Sequence, residues 1–298
     1  MAKTENLIRA LRLPFSIASI LPFIAGSLIL GTQFNSLNFL LGLGAVIFTH
    51  LSANLMNDYA DSKSGADWQD KNYYNYFGGS KLIQQGVFSE KFYLRASLVC
   101  FALATGCVLL LAAFLKSIFI IDIYLLIVVL AAFYSLQPIH FAYHYMGELM
   151  VFLLFGPALV MGGYFIQTQI FPTLQGFIVS LPFGLLTAAI LFANEIPDYQ
   201  TDEKSGKFTW VNLTGPKQAY RLYYLIVALA FLSIALNVAM GYMGLVALLA
   251  WALILLPFKA GRILRNHYTD KKKLMESSKL TILTQTLVGV VLILGVIF

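Results

Sequence analysis

Asn54, Asn57, Asp58 and Asp61 lie within one short stretch, HLSANLMNDYADSKSGAD (50–67), at spacings of three, four and seven residues. One to two helical turns would bring such residues onto a single face. Amides and carboxylates then converge where an apolar run ends and water begins. Gly65 lets the chain turn, and Asp67 and Asp70 follow. Carboxylates this close repel: at ~6 Å and an effective dielectric of ~20, each ionised pair costs roughly 2–3 kcal/mol. A cation must sit among them. Hard oxygen ligands at the mouth of an apolar site point to magnesium, and magnesium commonly brings phosphate with it.

A second acidic stretch, FANEIPDYQTDEKSGKFTW (192–210), repeats the pattern. Asn194, Asp198 and Asp202 recur every four residues and share one helical face, whereas Glu195 and Glu203 fall on others and read as secondary. Each stretch runs from an asparagine through spaced aspartates to Lys-Ser-Gly, at 63–65 and 204–206. Together with Asp70 they hold eight of the 14 acidic residues. Two acidic ridges facing one another make a two-metal site, with lysines to assist an anionic leaving group.

The rest of the chain must position these ridges in a bilayer. Of 298 residues 59% are hydrophobic and only 11% charged, with mean hydropathy +0.77. A soluble domain carries about 25% charged residues. Apolar runs near 20 residues recur, which predicts an all-α polytopic membrane protein forming a single domain over 1–298. Nine spans are expected: 13–32, 37–57, 92–115, 118–137, 146–167, 174–196, 219–239, 241–258 and 280–298. The acidic stretches follow the second and sixth spans, as a parallel repeat of four helices plus one would leave them. Acidic loops are expected at about 57–91 and 194–218.

The positive-inside rule puts the N-terminus and both acidic motifs in the cytoplasm, with 19 of 20 Lys and Arg residues on that side and only Lys116 opposite. The +6 charge is therefore an insertion signal, with no indication of nucleic acid or of an obligate protein partner. The first span reads as a retained helix; Ala25-Gly26-Ser27 is a poor cleavage site. Cys100 and Cys107 read as reduced packing residues.

Between the ridges, the loop containing Gly78-Gly79-Ser80-Lys81 reads equally as an anion-binding nest or as a surface turn. Glu148 is expected to point into the bundle, because a lipid-facing carboxylate is costly. His140 and His144 read as an interfacial pair rather than metal ligands, since no third ligand stands nearby. The last three spans carry no legible motif, and Lys271-Lys272-Lys273 reads as an orientation anchor. Besides an enzyme acting on a lipid diphosphate, a cation transporter fits the acidic clusters, although transporter sites usually lie near the midplane.

NDYADSKSGAD (57–67) resembles the first aspartate-rich motif, NDxxDxxxxxD, of the UbiA-type intramembrane prenyltransferases, and NEIPDYQTDEKSGK (194–207) resembles their second, NxxxDxxxDxxxGK. YSxxP at 134–138, Gly147-Glu148 and FGPALVMGGYF (155–165) are most similar to the branch that prenylates 1,4-dihydroxy-2-naphthoate for menaquinone. The resemblance implies a helical bundle around a central cavity, two Mg2+ ions, an allylic polyprenyl diphosphate donor and a small aromatic acceptor, in a bacterial-type inner membrane. It implies metal-binding roles for Asn57, Asp58, Asp61, Asp67, Asp198 and Asp202. Lys81, Lys207, Arg12 and Asn194 would bind diphosphate and substrate. Asp61, Asp198 and Tyr134 would be catalytic, Tyr134 facing the cationic intermediate or the acceptor. Many relatives carry arginine where this chain has Pro197, and a basic residue near Ile139 and His140, so diphosphate contacts at those points do not carry over. A terpene cyclase on the same scaffold would share the motifs.

Overall fold

The computed structural model describes residues 2–31 and 34–298; the expected far end of the first span, residue 32, lies outside them. The chain folds as α1 (Ala2–Ala10), a 3-10 turn (Leu13–Ser16), α2 (Ile17–Leu28), α3 (Ser36–Ser64), α4 (Glu90–Leu115), α5 (Phe119–Ser135) and α6 (Gly147–Phe155). Then follow α7 (Pro157–Thr168), α8 (Leu174–Lys204), the short α9 (Trp210–Thr214), α10 (Ala219–Ala239), a 3-10 stretch (Leu245–Ile254) continuing into α11 (Leu255–His267), and α12 (Lys271–Ile297). Among the described residues there is no strand, only an isolated bridge between His144 and Phe208.

Among the described residues, seven helical segments are long and apolar enough to cross a membrane. The pair Thr4–Ala10 and Leu13–Leu28, bent by 44°, makes an eighth if it is one span. The remaining expected span, 118–137, is α5, apolar but only 17 residues long. By length the count of nine is not reached. Two ends also differ from expectation. The segment 259–279, left between the last two expected spans, is mostly helix, because α11 runs to His267 and Asp270 caps α12 by accepting from the N–H groups of Lys272 and Lys273 at 3.1 and 3.2 Å. The expected acidic loops begin as helix. α3 continues to Ser64 and α8 to Lys204, so Asn57, Asp58, Asp61, Asn194, Asp198 and Asp202 are all helical.

Pro197 neither breaks nor restarts α8. It lacks the N–H that would reach residue 193, yet the helix passes through. The α6–α7 segment does break, at Gly156, before Pro157 at the first position of α7. A Cβ at Gly156 would stand 2.8 Å from the Cα of Gly184 on α8. Lacking side chains here, the two helices approach backbone to backbone, as small residues permit in membrane bundles.

Three apolar clusters fill the bundle. The largest joins α2, α8, α10 and α12 around Phe183, Phe192, Tyr223 and Phe231. A second packs α2, α3, α4, α5 and α7 around Phe23, Leu111 and Phe165. The third lies under the loop between α3 and α4, around Leu55, Leu82 and Tyr93.

Gly156→Val would force the α6–α7 break away from Gly184. The expected loss is about 1–3 kcal/mol, read as a lowered thermal unfolding midpoint in detergent. Gly106→Ala, where a Cβ meets nothing within 4 Å, is expected to leave the midpoint at or above the original.

Candidate functional site

The two helical extensions carry their acids to one cavity of about 950 Å³. Its wall includes Asn57, Asp61, Asp67 and Asp70 from the first stretch and Asn194, Asp198 and Asp202 from the second. Tyr134, Lys81, Lys207 and Arg12 line it too. The clusters thus share one space.

Gly78 and Gly79 thread between them. Both have positive φ, 73° and 77°, a region that glycine enters without penalty. A Cβ on Gly78 would face Lys81 and Asp198 at 3.8–3.9 Å; one on Gly79 would stand 3.0 Å from Asp67 Oδ2 and 3.4 Å from Asp58 Oδ1. The surface-turn reading fails, since Ser80 and Lys81 are buried. The nest is also used internally: the Ser80 N–H donates to Asp58 Oδ2 at 3.2 Å.

Four basic side chains pair with the acids. Arg12, on the left-handed residue between α1 and the following turn, donates to Asp58 Oδ1. Lys81 Nζ lies 2.7 Å from Asp67 Oδ1 and also donates to the Asp67 carbonyl at 3.2 Å. Lys207 Nζ sits 3.0 Å from Asp202 Oδ2. Lys271 Nζ is 2.9 Å from Asp70 Oδ2 and 3.6 Å from Asp198 Oδ1, joining the two ridges. Burial pushes the Asp67 carboxyl above its ordinary range, although Lys81 opposes the shift. Burial works against the Lys207 ammonium, but Asp202 and Glu195 outweigh it and hold its pKa well above the ordinary lysine value.

Asp61 lines the cavity with no ion pair of its own among the described residues. Nor, among those residues, do three carboxylate, His or Cys groups converge tightly enough to hold a metal as they stand. Asp58, Asp67, Asp70, Asp198 and Asp202 pair with the protein's own cations instead. The two asparagines brace the ridges: Asn57 Nδ2 donates to Ser135 Oγ at 3.1 Å, and Asn194 Nδ2 to the Tyr76 carbonyl at 2.9 Å.

Two expectations need correction. Lys271 is no mere anchor, because the short link before α12 places it inside the acidic site. Glu195 is not secondary: it is buried, lines the cavity and faces Glu148. Glu148 is wholly buried in the bundle, where its Oε1 accepts from the Trp210 N–H at 2.8 Å. Tyr134 lies within the field of Lys207, Glu195 and Glu148. His140 stacks on Tyr143 at 3.7 Å, and His144 Nδ1 lies 3.0 Å from the His140 carbonyl. The only sequence signal for Lys271 was its charge. For Glu195 it was an acid seated in an apolar helix.

Deeper in the bundle the cavity meets an apolar pocket of about 170 Å³ lined by Phe23, Val108, Leu111, Ile120 and Ile166. His50, Ala53, Asn54, Ala131, Leu154 and Phe155 border both spaces.

The site is thus a pair of acidic helix ends at a cavity that meets an apolar pocket inside a helical bundle. Residues 19–284 match the UbiA prenyltransferase family, and the chain belongs to that family. It is 28% identical to the 1,4-dihydroxy-2-naphthoate octaprenyltransferase of Haemophilus influenzae, over 74% of this chain and 72% of that one. Identity is also 28% to the human UbiA prenyltransferase domain-containing protein 1, covering 77% of this chain and 67% of the relative. Among solved structures, a UbiA homologue from Aeropyrum pernix K1 superposes with a TM-score of 0.71 at 19% identity, covering 94% of this chain and 97% of that one. A homologue from Archaeoglobus fulgidus bound to GPP and Mg2+ gives 0.60 at 16%, covering 97% and 99%.

Lys81→Met would leave Asp67 buried without its cation. The expected destabilisation is about 3–5 kcal/mol, checked by thermal unfolding in detergent. Lys259→Met, which breaks only the exposed pair with Glu276, is expected to change it by under about 1 kcal/mol.

Proposed function

We propose that this prenyltransferase moves a polyprenyl group from an allylic polyprenyl diphosphate to 1,4-dihydroxy-2-naphthoate, with magnesium as cofactor. One observation carries the reading. Arg12, Lys81 and Lys207 line one cavity with the motif aspartates, Lys271 pairs with Asp70 and Asp198 of its wall, and that cavity continues into an apolar pocket. Such a space suits an anionic head and a hydrocarbon tail. The naphthoate acceptor rests on the relatives' activity and on the YSxxP and Gly-Glu elements.

The donor set fits magnesium. Asn57, Asp58, Asp61 and Asp67 on one ridge, with Asp198 and Asp202 on the other, offer only hard oxygen ligands. The Asp61 carboxylate stands in the cavity without an ion-pair partner among the described residues. We assign one ion to each ridge. Magnesium, when bound, would neutralise charge on the diphosphate.

The chain's own residues do the rest. Arg12, Lys81, Lys207 and Lys271 turn from their aspartates to phosphate oxygens and draw the head group to the mouth. Asn194 braces the second ridge. The allylic carbon–oxygen bond breaks and diphosphate takes the electron pair. The apolar wall keeps water from the resulting cation, and the ring face of Tyr134 stabilises it. The electron-rich ring then forms the new carbon–carbon bond, and loss of its carboxylate as carbon dioxide restores aromaticity. The sidedness of basic residues supports a cytoplasmic mouth in a bacterial-type inner membrane.

Incubating purified protein with Mg2+, labelled polyprenyl diphosphate and a panel of aromatic acids, then extracting lipids, tests the assignment. Prenylated naphthol is the expected product; release of a prenyl alcohol or cyclic terpene alone overturns it. Asp61→Ala and Asp198→Ala are each expected to lower turnover at least ~100-fold while the protein still inserts. Near-original turnover in either variant removes the metal proposal. Lys271→Ala is expected to raise the KM for the diphosphate about tenfold and leave the acceptor's KM unchanged.

A further inference from the structure

Two polar side chains stand in the cavity wall below the acidic ridges. His50 and Asn54 lie one turn apart on α3, and Asn54 lies one turn before Asp58; each step is a rise of ~6 Å. Both border the main cavity and the apolar pocket, at the junction of the two. His50 is only 8% exposed.

The His50 ring is fixed from two sides. Its Nδ1 lies 2.7 Å from Ser19 Oγ, and it meets Phe155 edge-on at 5.7 Å and 85°. Ser19 Oγ has no other partner among the described residues. Were Nδ1 the donor, the serine hydroxyl proton would be stranded in an apolar interior. The satisfied arrangement has the hydroxyl donating to Nδ1, which puts the ring proton on Nε2. Among the described residues His50 Nε2 has no partner, and neither does Asn54 Nδ2. Two N–H donors are thus held one turn apart with nothing to receive them.

Unpaired buried donors are unfavourable; a bound ligand with an oxygen would complete them. The donor substrate cannot supply that oxygen. Its polyprenyl chain has none, and its diphosphate is drawn to the basic residues paired with Asp58, Asp67, Asp70 and Asp202. The oxygen must come from the second substrate. We propose that His50 and Asn54 form the acceptor subsite, holding a phenolic or carboxylate oxygen of the aromatic ring so that the ring faces the allylic carbon from the side away from the diphosphate. This rests on the prenyltransferase reading above and adds where the acceptor binds. Ser19 is a positioning residue that fixes the imidazole tautomer.

The test is a titration of 1,4-dihydroxy-2-naphthoate, kept anaerobic, into the full-length protein in detergent with Mg2+ and inorganic diphosphate. His50→Leu and Asn54→Leu are each expected to weaken binding at least about tenfold. His50→Gln, which keeps an N–H donor at that depth, is expected to recover binding to within about threefold. The KM for polyprenyl diphosphate should stay within about twofold in all three, with unfolding midpoints confirming that each variant folds. Unchanged naphthoate affinity in the leucine variants overturns the proposal, as does failure of the original protein to bind naphthoate. A Gln variant as weak as the Leu variant, or a rise in the diphosphate KM instead, also overturns it. Failure of the prenyl-transfer reading looks different: naphthoate binds and depends on His50, yet no diphosphate is released from the donor.

Discussion

Charge neutralisation at the mouth of an apolar bundle is the constraint on which the rest depends. Carboxylates crowded at low dielectric repel strongly, and isolated buried charges are unfavourable without partners. The fold answers by bringing cations from four separate parts of the chain. Arg12 comes from the turn before α2, Lys81 from the loop after α3, Lys207 from the end of α8 and Lys271 from the start of α12. These pairs hold the acidic cluster while leaving its members exchangeable. On the proposed reading, a cation that pairs with aspartate would turn to phosphate, and the aspartate so released would take a metal.

The hydrocarbon part of the bundle serves the same end. Its close helix approaches, as at Gly156 and Gly184, bring α6, α7 and α8 together around the cavity. The space narrows from a polar mouth of mixed charge into an apolar pocket lined by α2, α3, α4, α5, α6 and α7. A head group and a hydrocarbon tail are therefore sorted by the same walls.

Much of this was legible in the sequence, and for physical reasons. A spacing of three and four fixes which residues share a helical face, so the ridge of Asn57, Asp58 and Asp61 followed from the spacing and the apolar run before it. The burial of Glu148 followed from the expense of a lipid-facing carboxylate. Other features were hidden because they arise between distant segments. Lys271 pairs with a residue 201 positions away, which no local pattern reports. The helical ends of α3 and α8 overran the apolar runs because polar residues continue a helix wherever neighbours support it. Glu195 was discounted by helical face alone, although a buried helix presents every face to some neighbour.

Lys271 also changes how the carboxyl-terminal helix is understood. α12 contains none of the signature residues, yet its first turn reaches both aspartate ridges. Shortening the chain before residue 271 would preserve every recognisable motif while removing one of the four counter-charges and opening a seam beside α8 and α2. The boundary of the working enzyme is therefore set by electrostatics, and it extends beyond the stretch in which its signatures are written.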